Sequence, residues 1–213
     1  MAVSMMFGLP RSGKTTLLSA LAIKNKDKYQ NIYSNVRLDL PFVQYIQFEW
    51  LGKYNIHDGL VLIDEATVFA DSRAYKDMMK SFSDFLMLHG HWKLDIVFFA
   101  QRYNGVDIKI RNLTVNLYYV RKCLIPCFTS YTPIEYRMVV PNAGERIGDI
   151  VEGYQQLGWF RRLLFTRYIY RPKYYAYFDS WERPELPPLP SSAASSADRS
   201  FSWRPPSSTD PSA

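Results

Sequence analysis

Apolar residues along the chain fall into two patterns. Short runs of four to seven, stopped by glycine or charge, alternate with longer stretches whose apolar positions recur every three or four residues. Val3–Phe7 is a run stopped by Gly8 and predicts a buried strand. Lys14–Asn25 follows with Leu17, Leu18, Leu21 and Ala22 at helical spacing. Asn31–Val36 predicts a second strand, and Leu60–Asp64 a third that ends on acids. Ala74–Leu88 is helical in pattern, with Met78, Met79, Phe82, Phe85, Leu86 and His89 on one face, a stripe that suits core packing. Asp95–Ala100 is another apolar strand. Val115–Val120 and Tyr136–Val140 predict two later strands, with Pro126 and Pro133 in the connection between them. Pro41–Tyr54 is aromatic and mixed and fits neither period.

Strands alternating with helices predict an α/β fold with a mostly parallel sheet, helices on both faces and further β-strands late in the chain. With Gly8–Thr15 matching G-x-x-x-x-G-K-[ST] between the first strand and the first helix, the expected architecture is that of a three-layer P-loop NTPase. In such folds the ligand lies beyond the carboxyl ends of the strands. The pattern stops near residue 183. Residues 184–213 hold 7 Pro and 9 Ser, with little apolar surface to offset the entropy of ordering. The expected organisation is therefore an ATPase domain over 1–183 and a disordered tail over 184–213.

Composition narrows the class. Hydrophobic residues make up 47%, enough for a core, and the net charge is +6, which suits polyanions or anionic surfaces as well as a solvated basic face. The two cysteines, Cys123 and Cys127, are too few for a disulfide scaffold or a zinc site, and read as reduced thiols of a cytoplasmic protein. No window long enough to cross a bilayer is free of charge; the best candidate, Leu157–Tyr170, contains Arg161, Arg162 and Arg167. Met1–Leu9 lacks a basic leader and runs into a glycine loop, so no signal peptide is expected.

The chemistry is carried by Gly8-Leu9-Pro10-Arg11-Ser12-Gly13-Lys14-Thr15, a full G-x-x-x-x-G-K-[ST] match with a strand before it and a helix after it. Such a loop wraps a phosphate with successive backbone N–H groups, and the glycines permit the close approach. The helix start adds its own N–H groups. Lys14 is expected at the β- and γ-phosphates and the Thr15 hydroxyl on Mg²⁺, with Thr16 completing the nucleotide-binding set. Downstream, Leu60-Val61-Leu62-Ile63-Asp64-Glu65 places two acids at a strand end. Asp64 suits the metal, and Glu65 suits the polarisation of an attacking water. Gln101 ends the Asp95–Ala100 strand; beside the Asp64 strand it would lie near the γ-phosphate as a sensor, and elsewhere it is a polar loop residue. Arg102 and Arg111 are candidates for an arginine finger acting across a subunit interface, or surface arginines. His89 and His91 flank Gly90 with no third ligand in view, which favours capping over metal binding.

The order of these pieces resembles the zonular occludens toxin family, which contains the morphogenesis ATPases of filamentous phages within the wider FtsK–HerA group of DNA-translocating ATPases. The likeness rests on Gly8–Thr15, on Val61–Ala66, on the run from His91 to Arg102, on Val106–Arg111 and on a closing Arg171-Pro172-Lys173-Tyr174-Tyr175-Ala176-Tyr177-Phe178-Asp179-Ser180. It covers about residues 1–182. It implies an ATP- and Mg²⁺-dependent hydrolase that forms a homo-oligomer, hexamers included. Such an enzyme works in the host cytoplasm at the inner membrane with phage assembly proteins and drives single-stranded DNA out during extrusion. Members usually carry a transmembrane helix after the ATPase domain, where this chain has a Pro/Ser-rich tail.

Trp159–Arg183 holds 10 aromatics and 6 arginines or lysines. Three readings fit it: single-stranded nucleic acid bound by stacking and phosphate contacts, a membrane interface, or a pair of edge strands with packed rings. For the whole chain, the competing functions are genome packaging in another small virus and a nucleotide-binding or membrane-docking module that does not hydrolyse. A small-molecule kinase is a third, disfavoured by the adjacent Asp64-Glu65.

Overall fold

The computed structural model describes residues 1–65, 82, 84–123, 125–138, 152–156 and 158–179. These fall in the unit Met1–Ser180. The tail expected from 184 lies outside the described residues. So does most of the expected 74–88 helix, of which 82 and 84–88 are seen to be helical.

Among the described residues nine strands join in one sheet. β1 (Val3–Phe7), β2 (Asn31–Ser34), β3 (Val43–Tyr45), β4 (Gly59–Ile63), β5 (Leu94–Ala100) and β6 (Thr114–Lys122) run parallel in the order β3-β2-β4-β5-β1-β6. β7 (Phe128–Met138) then pairs antiparallel with β6, and β8 (Glu152–Gln156) and β9 (Arg167–Tyr170) pair antiparallel with β7. The fold is thus α/β with a mostly parallel sheet, as the alternating pattern predicts.

The strands' alternation builds two cores. On one face Met5, Val61, Ile63, Ile96 and Phe98 pack with Phe82, Phe85 and Leu86 of the 82–88 region. On the other, Met6, Leu60, Leu62, Val97 and Phe99 pack with Leu17, Leu18 and Ala22 of α1 (Lys14–Asn25). All five residues of β4 are buried, which is why they read as an unbroken apolar run. A 3-10 segment, Arg171–Tyr177, also packs along α1, and its Tyr177 carbonyl accepts from the Asp39 N–H at 2.8 Å.

Some expectations are corrected. Pro133 lies inside β7, opposite Tyr118, and not in a connection, and the strand expected from Tyr136 begins at Phe128. β9 pairs with Phe128–Tyr131 and β8 with Ile134–Met138, so Pro133 occupies the gap between two outer partners, where a missing N–H breaks neither ladder. The unassigned Pro41–Tyr54 stretch holds β3 and a 3-10 turn, Phe48–Trp50. The second strand ends at Ser34, two residues short of Val36. Trp159–Phe165 is a short helix, α3, with none of its residues buried, and only β9 within 159–179 is a strand, so the paired-edge-strand reading does not hold there. A further helix, α2 (Ile108–Leu113), joins β5 to β6. Among the described residues no helix is long and apolar enough to cross a membrane.

Candidate functional site

β1 delivers the chain to the loop at the carboxyl edge of the sheet. The Gly8 N–H donates to the Ala100 carbonyl at the end of β5, so the loop starts flush with that edge. A Cβ on Gly8 would stand 2.2 Å from the Val120 carbonyl oxygen of β6, so only glycine fits. Gly13 has φ +94°, and a Cβ there would meet the Thr129 hydroxyl of β7 at 2.2 Å. Arg11 also has a positive φ, 60°. The left-handed turns at Arg11 and Gly13 curl the segment so that its N–H groups can converge, as an anion cradle requires. α1 begins at once, and Leu17 N–H donates to the Gly13 carbonyl at 2.9 Å.

Three of the expected groups meet at this loop. The Lys14 ammonium is buried and donates to the Gly8 carbonyl at 2.8 Å and the Leu9 carbonyl at 3.1 Å. Burial lowers its pKa, and the charges of Asp64 and Glu65 pull the other way. The Thr15 hydroxyl donates to Asp64 Oδ2 at 3.0 Å. Asp64 is buried at 8% exposure, and burial raises its pKa, opposed by the Thr15 hydroxyl, the Glu65 N–H and the Lys14 charge. Glu65 is exposed, has φ +53°, and gives its N–H to Asp64 Oδ1 at 2.9 Å. A glutamate in the left-handed region is uncommon and occurs where the surroundings hold it.

Thr15 and Asp64 offer a hydroxyl and a carboxylate within one coordination sphere of each other. Hard oxygen donors of this kind fit Mg²⁺, and a dication would relieve the cost of a buried carboxylate beside few positive groups. The donor set therefore fits the metal expected from the sequence.

β5 lies between β1 and β4, with Phe7 opposite Ala100 and Ile63 opposite Phe98. Gln101, the next residue, stands exposed at the level of the loop and the acidic pair. Arg102 is exposed beside it. Arg111 is not brought to the loop by its own chain. It lies on α2, three residues before Thr114, which pairs with Val3 at the opposite end of β1. Its Nε donates to the Val106 carbonyl at 3.1 Å and its guanidinium lies over the Tyr103 ring. His89 is bound through Nδ1 to the Leu86 carbonyl at 2.7 Å, a helix-end contact. Cys123 and Cys127 are free thiols.

Sequence reasoning missed three supports of this site. Asn35, just beyond β2, holds the Asp64 backbone at both poles: its Nδ2 donates to the Asp64 carbonyl at 2.9 Å and its Oδ1 accepts the Asp64 N–H at 2.7 Å. Thr129 is fully buried and donates to the Ser12 carbonyl at 3.0 Å. Arg171 reaches Gly13, its Nε 3.4 Å from the position of a Cβ there. Asn35 and Thr129 belong to no motif, and Arg171 opens the closing Arg171–Ser180 run, which the sequence singles out without giving the arginine a role.

Residues 36–156, more than half of the chain, match the family model described as Zonular occludens toxin (Zot). Among solved structures, the chain is similar to the N-terminal domain of zonular occludens toxin from Neisseria meningitidis, at 17% identity over 62% of this chain and 82% of that one, TM-score 0.44. It is also similar to B204, the DNA-packaging ATPase from Sulfolobus turreted icosahedral virus, at 14% identity over 62% of this chain and 92% of that one, TM-score 0.46. A third similar structure is the FIGL-1 AAA domain in complex with ADP, at 15% identity over 55% of this chain and 42% of that one, TM-score 0.38. No curated protein matches the sequence.

Proposed function

Because the chain belongs to the zonular occludens toxin family, we propose that it is a Mg²⁺-dependent ATPase that couples hydrolysis to virion assembly, moving single-stranded DNA as an oligomer. The observation that carries this reading is the 3.0 Å bond between the Thr15 hydroxyl of the phosphate loop and the Asp64 carboxylate at the end of β4. It joins two segments 49 residues apart into one site for a metal and a triphosphate.

The residues divide the work by position. Backbone N–H groups of Arg11 and of Gly13 through Thr16 surround the β-phosphate, since Pro10 has none and those of Gly8 and Ser12 are held by the Ala100 and Leu9 carbonyls. Lys14, already at the mouth of the loop, moves from the Gly8 and Leu9 carbonyls to the β- and γ-oxygens. Thr15 and Asp64 would hold Mg²⁺, which supplies charge neutralisation across the β- and γ-phosphates. Glu65 takes a proton from the attacking water, the turned backbone setting its carboxylate beyond Asp64. Gln101 stands between the two strand ends and senses the γ-phosphate. The finger arginine, Arg102 or Arg111, comes from a neighbouring copy; for Arg111, a trans role agrees with its distance from its own loop. Contact with the host inner membrane would be peripheral and made through partners.

The test is steady-state ATP turnover by the full chain with no DNA, with single-stranded DNA and with double-stranded DNA, alongside assembly size by light scattering. Stimulation by single strands in an oligomer is expected. Preference for duplex would move the protein to duplex genome packaging, and binding without turnover in the assembled oligomer would make it a switch or scaffold.

A further inference from the structure

Among the described residues, two buried side-chain polar atoms lack a hydrogen-bond partner, Ser12 Oγ and Arg171 Nε. Both lie at the phosphate loop. Ser12 is inside the motif. Arg171 comes from the far end of the fold, and its presence there is the less expected.

Arg171 is delivered to the loop by a fixed route. Its N–H donates to the Cys127 carbonyl at 2.8 Å, immediately after β9. β9 pairs with the stretch of β7 that holds Thr129, which itself grips Ser12. The following 3-10 segment packs along α1 and is tied at its other end by Asp39. Within it the Tyr175 ring lies under the guanidinium, 5.7 Å from ring centroid to Cζ. An arginine carried by two anchored elements, with its Nε buried and unsatisfied, is a costly arrangement, because a buried charged donor without an acceptor has given up water and gained no bond in return. An acceptor that arrives with the ligand accounts for it.

The sheet order says which part of the ligand that is. Thr15 and Asp64 meet on the β4 side of β1, where the metal and the γ-phosphate belong. Thr129 and Arg171 approach from the β6–β7 side. A triphosphate lying along the loop with its terminal phosphate at Lys14, Thr15 and Asp64 therefore turns its α-phosphate and nucleoside toward Arg171. We propose that Arg171 is a ligand of the bound nucleotide from within the same chain, its Nε and a terminal nitrogen donating to the α-phosphate. A planar fork of donors suits paired phosphate oxygens. This inference rests on the nucleotide reading of the loop and adds its nucleoside-side contact.

The test titrates the full-length wild type, Arg171→Gln and Arg171→Lys with fluorescent ADP and with a non-hydrolysable ATP analogue, and records the unfolding temperature without nucleotide. Because the α-phosphate is common to both ligands, Arg171→Gln should weaken the two by the same factor, at least ~10-fold, as loss of a hydrogen bond between charged groups implies. Its unfolding temperature without nucleotide should be no lower than that of the wild type, because the variant removes a buried donor that has no acceptor in the ligand-free protein. Lysine, a cation without the fork, should recover part of the affinity, and this comparison still decides if glutamine also lowers stability. Wild-type affinity in Arg171→Gln would overturn the assignment. So would a loss confined to the ATP analogue, or a lysine variant no tighter than glutamine. Absence of nucleotide binding by the wild type would instead remove the reading beneath it.

Discussion

Asp64 sits in a place that disfavours its charge. Burial raises its pKa above that of the unfolded chain, so the folded form holds the proton more tightly. The stability this contributes is present in acid and is lost as pH rises from the ordinary carboxylate range through the raised value. Asp64→Asn removes the term. Without nucleotide, thermal unfolding of the variant and the wild type should therefore diverge in the variant's favour as pH goes from acid to neutral. The variant should also lose Mg²⁺-dependent nucleotide binding. A wild type that outlasts the asparagine variant at neutral pH would contradict this account of the carboxylate. Glu65 differs, being exposed. Glu65→Gln should bind nucleotide as the wild type does and hydrolyse it at least ~10²-fold more slowly, as loss of a positioned base implies; single-turnover phosphate release measures it. Lys14, Thr15, Asp64 and Glu65 stood out in the sequence because a G-x-x-x-x-G-K-[ST] loop and an acidic pair ending an apolar run are local signals, and the structure brings Thr15 and Asp64 together. Asn35 and Thr129 did not stand out, because each acts on the backbone of a residue far away in sequence, and a contact of that kind leaves no periodic or spaced signature.

At the scale of elements, the loop keeps its shape because strands on its far side press on it. Thr129 of β7 holds the Ser12 carbonyl and fills the space beside Gly13. Gly13→Ala meets two separate penalties: a left-handed backbone that costs an alanine about 1–2 kcal/mol, and a Cβ 2.2 Å from the Thr129 hydroxyl. Chemical denaturation should show a loss beyond the backbone share, and Gly13→Ala combined with Thr129→Ala should recover only the excess. Equal stability of the single and double variants would mean that β7 does not buttress the loop. The central parallel strands β1, β4 and β5 were readable from sequence because burial on both faces makes them nearly continuous apolar runs, β4 above all; β3, half-exposed at the sheet edge, was not. The late antiparallel strands were harder. Pro133 reads as a break, and only the gap between β8 and β9 lets β7 run through it. The Trp159–Tyr177 region was the least legible, since its apolar residues are largely exposed on α3 and along a 3-10 segment, with no period set by a core.

For the molecule as a whole, the glycine loop and the acidic strand end meet at the carboxyl edge of a mostly parallel sheet, where the proposed function puts a triphosphate. On the proposed reading Arg171 would close the nucleoside side, and one of Arg102 and Arg111 would serve another copy. The net charge of +6 suits a polyanionic cargo. All of this depends on the loop and the acidic strand end acting together on ATP. The most direct measurement is phosphate release from ATP by the assembled full chain, with and without Mg²⁺, for the wild type and Lys14→Ala. The account predicts turnover by the wild type that stops when Mg²⁺ is chelated and is absent in the alanine variant. Release at the same rate by Lys14→Ala, or turnover indifferent to Mg²⁺, would contradict it.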